Sequence, residues 1–178
     1  MALPPKTAAR VAMLNLAPEV AGVIGESFRT FHIQTVPLEQ DWATRLQREK
    51  FDGCVLRLDD ECERVLKTAR SSASNRNILL YCVAPDTRTA TRYSSYGINA
   101  LFYEPVERAS ALRVVRATNL LVLHEFRRYV RLPVVVEVEL EADGVKHTLI
   151  TVEISSGGMS LYSDKRLPDY RNVKVTFT

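Results

Sequence analysis

Cysteine is scarce in this chain, and the few present do not cooperate. Cys54, Cys62 and Cys82 show neither a CxxC pair nor a Cys/His spacing, which argues against a disulfide framework and against a zinc site. Cys54 and Cys82 fall inside apolar runs, where a free thiol behaves as a small core hydrophobe. Histidine is equally sparse. His32, His124 and His147 lie in different predicted elements, so no Cys or Ser nucleophile has a local base. No enzyme motif, metal site or cofactor requirement emerges. Long hydrophobic runs are also missing: the longest, Val114 to Leu123, is interrupted by Arg116 and Asn119 and is too short to span a bilayer. Residues 1–6 lack the apolar stretch of a signal peptide and read, with 7 and 8, as a loose tail. The expectation is a cytoplasmic protein without a membrane span.

What is present is ordinary soluble composition. The chain has 178 residues, 46% hydrophobic and 25% charged, enough for one generous domain or two small ones. The net charge of +3 is small but unevenly placed. Residues 107–131 hold six arginines against Glu107 and Glu125, a local balance of +4. A concentrated patch suits a small anionic ligand, whereas duplex DNA calls for a broader basic face.

Over residues 9–126 short apolar runs alternate with helical spacing. Strands are expected at 10–16, 32–36, 54–58, 78–83 and 100–103. Helices are expected at 18–29, 39–49, from the capping-like Asp59 and Asp60 to about Arg70, at 87–96, and from Glu107 to about Phe126. Such alternation predicts an α/β fold, a five-stranded parallel sheet with helices on both faces. With the echoes FDGCVLRLD and GINALFYEPV, this part resembles a response-regulator receiver domain of flavodoxin-like fold. The resemblance implies an acidic pair after the first strand, an Asp ending the third, a Thr or Ser after the fourth and a Lys before Pro105. The positions that match hold Asn15 and Leu16, Arg57, Cys82 and Glu104. They supply no Mg²⁺ ligands, and an arginine cannot accept a phosphoryl group. If Arg57 and Glu104 are close, they form a reversed ion pair. A cis bond at Pro105 is what the resemblance would imply.

Past Pro133 the pattern changes to strand period. Val134 to Leu140 alternates, Asp143-Gly144 marks a hairpin, and the returning strand places Thr148, Ile150, Val152 and Ile154 on one face and Leu149, Thr151, Glu153 and Ser155 on the other. Two more strands follow, MSLYS and VKVTF, making four. Flanking the hairpin are two short motifs: Arg127, Arg128 and Arg131 in RRYVR, then Glu153, Ser155, Gly157 and Gly158 in EISSGG. Arginine grips phosphate with a planar fork and stacks on purines. Ser followed by Gly-Gly offers a hydroxyl, backbone N–H groups and room for close approach.

These two motifs resemble RxxxR and [D/N]xSxxG of the PilZ family of bacterial cyclic di-GMP receptors, with Arg127, Arg131, Ser155 and Gly158 in place and Glu153 where Asp or Asn stands. The resemblance implies that residues 127–178 form a small β-barrel, incomplete with four strands. It also implies that the arginines clamp phosphate and stack on guanine, that Ser155 bonds a phosphate or base, and that the glycines admit the backbone. A carboxylate at 153 would accept from guanine N1–H and N2–H₂.

Two readings stay open. One is a non-catalytic cyclic di-GMP sensor whose receiver-like domain serves dimerisation or partner binding. The other is a relative that binds no nucleotide and acts as a scaffold for an unidentified protein in motility or regulation. The helix 107–126 carries two apolar stripes, Val115, Val122 and Phe126, and Val114, Ala117 and Leu121. One must cover the sheet. The other pairs with a second copy or packs on the barrel.

Overall fold

The short runs that are apolar throughout become strands buried on both faces, and the amphipathic stretches between them become the covering helices. In the computed structural model, which describes residues 8–128, 130–155 and 158–177, the order is β1 (Arg10–Leu14), α1 (Pro18–Arg29), β2 (Gln34–Pro37), α2 (Trp42–Arg48), β3 (Gly53–Arg57), α3 (Cys62–Ser71), β4 (Leu79–Ala84), α4 (Thr87–Arg92), β5 (Ala100–Tyr103) and α5 (Arg108–Arg127). The five strands are parallel in the order β2-β1-β3-β4-β5. Every residue of β4 is buried, as a central strand covered on both sides requires.

The sheet divides its core in two. Ile24 and Phe28 of α1 and Ala111, Val115 and Val122 of α5 pack on one face. Leu46 of α2, Val65, Leu66 and Ala69 of α3 and Ala90 of α4 pack on the other. The three cysteines are free and buried, as the apolar runs around Cys54 and Cys82 predict for those two. Burial pushes the Cys54 thiol up to about 12. The exposed side of α5 carries Leu120 and Leu121, 74% and 51% exposed. Val114, assigned to that side by spacing, instead packs partly buried against the sheet.

Several element ends differ from the sequence expectation. α2 is a seven-residue helix rather than 39–49. The 87–96 helix splits into α4 and a 3-10 turn, Ser94–Tyr96, ended by left-handed Gly97. α3 starts at Cys62 after Glu61, so Asp59 and Asp60 do not cap it. Asp59 accepts instead from the Glu61 N–H at 3.0 Å and from the Asn15 side chain.

The chain divides into compact units at Phe126/Arg127. The second unit contains β6 (Leu132–Pro133), β7 (Glu137–Ala142), β8 (Val145–Ser155), β9 (Gly158–Tyr162) and β10 (Lys174–Phe177). They form one antiparallel sheet ordered β10-β7-β8-β6, with β9 also paired to β8. Among the described residues five strands are present where four were expected, because residues 132–142 do not run as one strand. The Thr151 hydroxyl, fully buried, intervenes. It donates to Val134 O and accepts the Val136 N–H at 3.0 Å, holding the link between β6 and β7 against β8. The Asp143-Gly144 turn is present, with φ of 51° and 78°, the paired positive angles of a type I′ hairpin. Val138, Leu140, Ala142 and Leu149 form this unit's core, with Leu161, Leu167, Tyr170 and Val175 against it.

Candidate ligand site

β8 reverses its own alternation. Leu149 and Thr151 face the core, and strict period would send Glu153 and Ser155 after them. A β-bulge lies between Thr151 and Glu153. It uses up Val152, so that Glu153 pairs with Ser160 while Thr151 pairs with Leu161. A bulge inserts one unpaired residue and re-aims those beyond it. Glu153 thus lies on the outer face with Ser160, whose hydroxyl donates to Glu153 Oε1 at 3.2 Å. The expectation that Glu153 and Ser155 share a face with Leu149 and Thr151 is corrected by this one extra residue.

The outward turn creates a cavity of about 390 Å³ lined by Arg128, Arg131, Glu153, Ser155, Gly158 and Ser160, with Ile154 and Met159. Arg131 Nη1 donates to Glu153 Oε1 at 2.5 Å. That hydrogen bond, helped by Ser160, holds the Glu153 carboxyl below its ordinary range. Ser155 Oγ donates to Gly158 O at 3.1 Å. Gly158 has φ of 150°, and nothing lies within 4 Å of where a Cβ would be. Only glycine adopts that angle without strain, and the open space leaves its backbone accessible.

The structure thus brings Arg128, Arg131, Glu153, Ser155 and Gly158 together. Arg127 ends α5 and is not among the residues lining the cavity. Gly157 lies outside the described residues. Sequence reading missed Ser160, whose only signal is its β9 register opposite Glu153.

In the first unit, the C-terminal ends of the parallel strands hold a different arrangement. Arg57 at the end of β3 donates from Nε to Glu104 Oε1 at 2.8 Å and from Nη2 to Oε2 at 3.2 Å. This is the reversed pair, made bidentate. The Glu104–Pro105 bond is cis. β4 ends at Ala84, with Cys82 buried inside the strand. Ala84, not Cys82, therefore stands where a terminal hydroxyl was sought. Among the described residues no cluster of His, Cys, Asp or Glu is placed to hold a metal ion. No described helix is long and apolar enough to cross a membrane.

Comparison with known proteins follows the same division. Residues 125–178 match the model of the PilZ domain. Solved structures resemble the first part in fold. The chemotaxis response regulator CheY4 of Vibrio cholerae is 10% identical with a TM-score of 0.54, over 62% of this chain and 98% of that one. The receiver domain of the sensor histidine kinase PA1611 from Pseudomonas aeruginosa is 13% identical with a TM-score of 0.51, over 62% and 97%. The orphan response regulator HP1043 of H. pylori is 13% identical with a TM-score of 0.53, over 66% and 99%. A search of curated proteins gave no match. The chain thus carries a PilZ domain at residues 125–178, preceded by a domain of receiver-like, flavodoxin-like fold.

Proposed function

We propose that the PilZ domain binds cyclic di-GMP in the cavity on the outer face of β8 and β9, and that the protein is a non-catalytic sensor. The observation that carries this reading is the convergence of Arg128, Arg131, Glu153, Ser155 and Gly158 on one cavity. Arginine forks suit phosphate. The Glu153 carboxylate suits the paired N1–H and N2–H₂ of guanine. Binding exchanges partners: the ligand's phosphate replaces Glu153 as the partner of Arg131, and the guanine edge replaces Arg131 as the partner of Glu153. Each charge stays paired, which matters because an unpaired one is costly once the ligand excludes water. Arg127 contributes stacking or phosphate contact from the end of α5.

The receiver-like domain, in this proposal, accepts no phosphoryl group, because Arg57 stands where the acceptor would be and is held by Glu104. It serves instead for homodimerisation through the exposed side of α5 or for binding a protein partner. One observation favours the second reading, a PilZ scaffold that takes no nucleotide: Arg131–Glu153 and Ser155–Gly158 already satisfy one another. Calorimetric titration of the full chain with cyclic di-GMP separates the two. Saturable binding that Arg131→Ala weakens supports the sensor, and no heat from the unmodified chain supports the scaffold.

A further inference from the structure

We infer that Tyr162, with Ile150 and Val152 beside it, forms an apolar platform on which a base of the bound cyclic dinucleotide stacks. The inference rests on the cavity being the nucleotide site and adds to it a second, apolar half. Ile150 stands directly opposite Tyr162 in the β8–β9 register, and Glu153 stands opposite Ser160, the next row along the same outer face. Two strand residues cover about 7 Å, so the platform begins where the polar cavity ends.

The outward side chains of an antiparallel sheet are ordinarily polar. Farther along β8 that holds: Lys146 and Thr148 are exposed, and Lys146 is paired with Glu139 at 2.8 Å. Next to the cavity the outward positions of β8 and β9 turn apolar, with Ile150, Val152 and Tyr162 exposed by 44%, 48% and 58%. The same bulge that turns Glu153 outward leaves Val152 exposed between the two patches.

A cyclic dinucleotide carries two purines on one phosphate ring, and the charged cavity offers edge recognition for one of them. The other base is a flat apolar plate that gains by lying on an aromatic face, an interaction tolerant of base identity and effective on protein surfaces. The continuity of the two patches on one face selects the ligand's own second base as occupant over another protein.

The test is titration of the full-length chain with cyclic di-GMP. Tyr162→Ala should weaken binding about tenfold or more, and Tyr162→Phe should bind as the unmodified chain does. Because Tyr162 is exposed, far-ultraviolet circular dichroism should be unchanged in both. With 3-fluorotyrosine placed at position 162, ring stacking should move the fluorine resonance upfield on saturation. If Arg131→Ala loses binding while Tyr162→Ala binds normally and the fluorine stays put, the platform is wrong and the cavity stands. If the unmodified chain gives no binding, cavity and platform fall together. If Tyr162→Ala changes self-association but not nucleotide affinity, the face docks protein and the inference is overturned.

Discussion

Arg131, one residue before β6, and Glu153, past the bulge of β8, are joined by a 2.5 Å hydrogen bond between Nη1 and Oε1. The two residues are drawn from different motifs, and each is the other's partner. A ligand that takes one must satisfy the other.

Removal of Arg131 therefore has two effects, loss of a phosphate grip and release of Glu153 as an uncompensated acid. Arg131→Ala should weaken cyclic di-GMP binding by roughly 1.5 to 3 kcal/mol, the range for a charge-assisted hydrogen bond. Arg128→Ala should weaken it too, since Arg128 lines the cavity. Calorimetry reads both, and an unchanged affinity in the double variant would refute the site.

The same pair sets a pH dependence. Arg131 first, and Ser160 second, lower the Glu153 pKa from its ordinary 4.5. A carboxyl depressed on folding contributes stability above its unfolded pKa, and that contribution is lost as pH falls through the lowered folded value. The pair should thus remain intact from pH 5 to 8 and open only in stronger acid. Carbon-13 titration of the Glu153 carboxyl should give a midpoint below 4.5, moving up in Arg131→Ala.

Thr151 is a separate point of dependence. Its hydroxyl accepts from the Val136 N–H at 3.0 Å, and Thr151→Val would leave that donor unpaired, at a cost of about 1 to 3 kcal/mol. Thermal unfolding should show the PilZ domain destabilised by Thr151→Val and much less by Thr151→Ser.

Arg57–Glu104 should behave differently. It is bidentate but its side chains are 46% and 29% exposed, so solvent screening limits it to about 1 kcal/mol or less. Arg57→Ala should barely change stability. Incubation of the unmodified chain with acetyl phosphate and Mg²⁺ should add no mass, and a stoichiometric phosphoryl adduct would contradict the proposal.

Leu120 and Leu121 predict assembly. Leu121→Glu should convert a dimer to a monomer in sedimentation at micromolar concentration. A monomeric unmodified chain would show that this side of α5 does not pair with a second copy.

The parallel half of the fold was legible because burial on both faces writes itself as near-continuous apolar runs, as in Leu79–Ala84. The ends were less so: seven-residue α2 and the broken helix after Thr87 are settled by packing, not by local pattern. The arginines, Glu153, Ser155 and Gly158 were legible as motif residues. That Glu153 and Ser155 point the same way was legible too, but not that they turn away from Leu149 and Thr151, because period-two reading assumes an unbroken strand. Ser160 and Tyr162 carry no motif at all, and only the β9 register shows what stands beside them.

That extra residue in β8 decides which way Glu153 faces. Deleting Val152 would restore plain alternation, with Thr151 inward and Glu153 next and outward, so the anchor would keep its direction although the apolar row would lose a member. At the present length, flattening the bulge would instead turn the carboxylate inward, toward the apolar side chains of Val138 and Leu149. One residue lost or one gained there returns a regular strand with Glu153 still outward, so the direction of the anchor depends on the bulge itself and not on the strand's length alone.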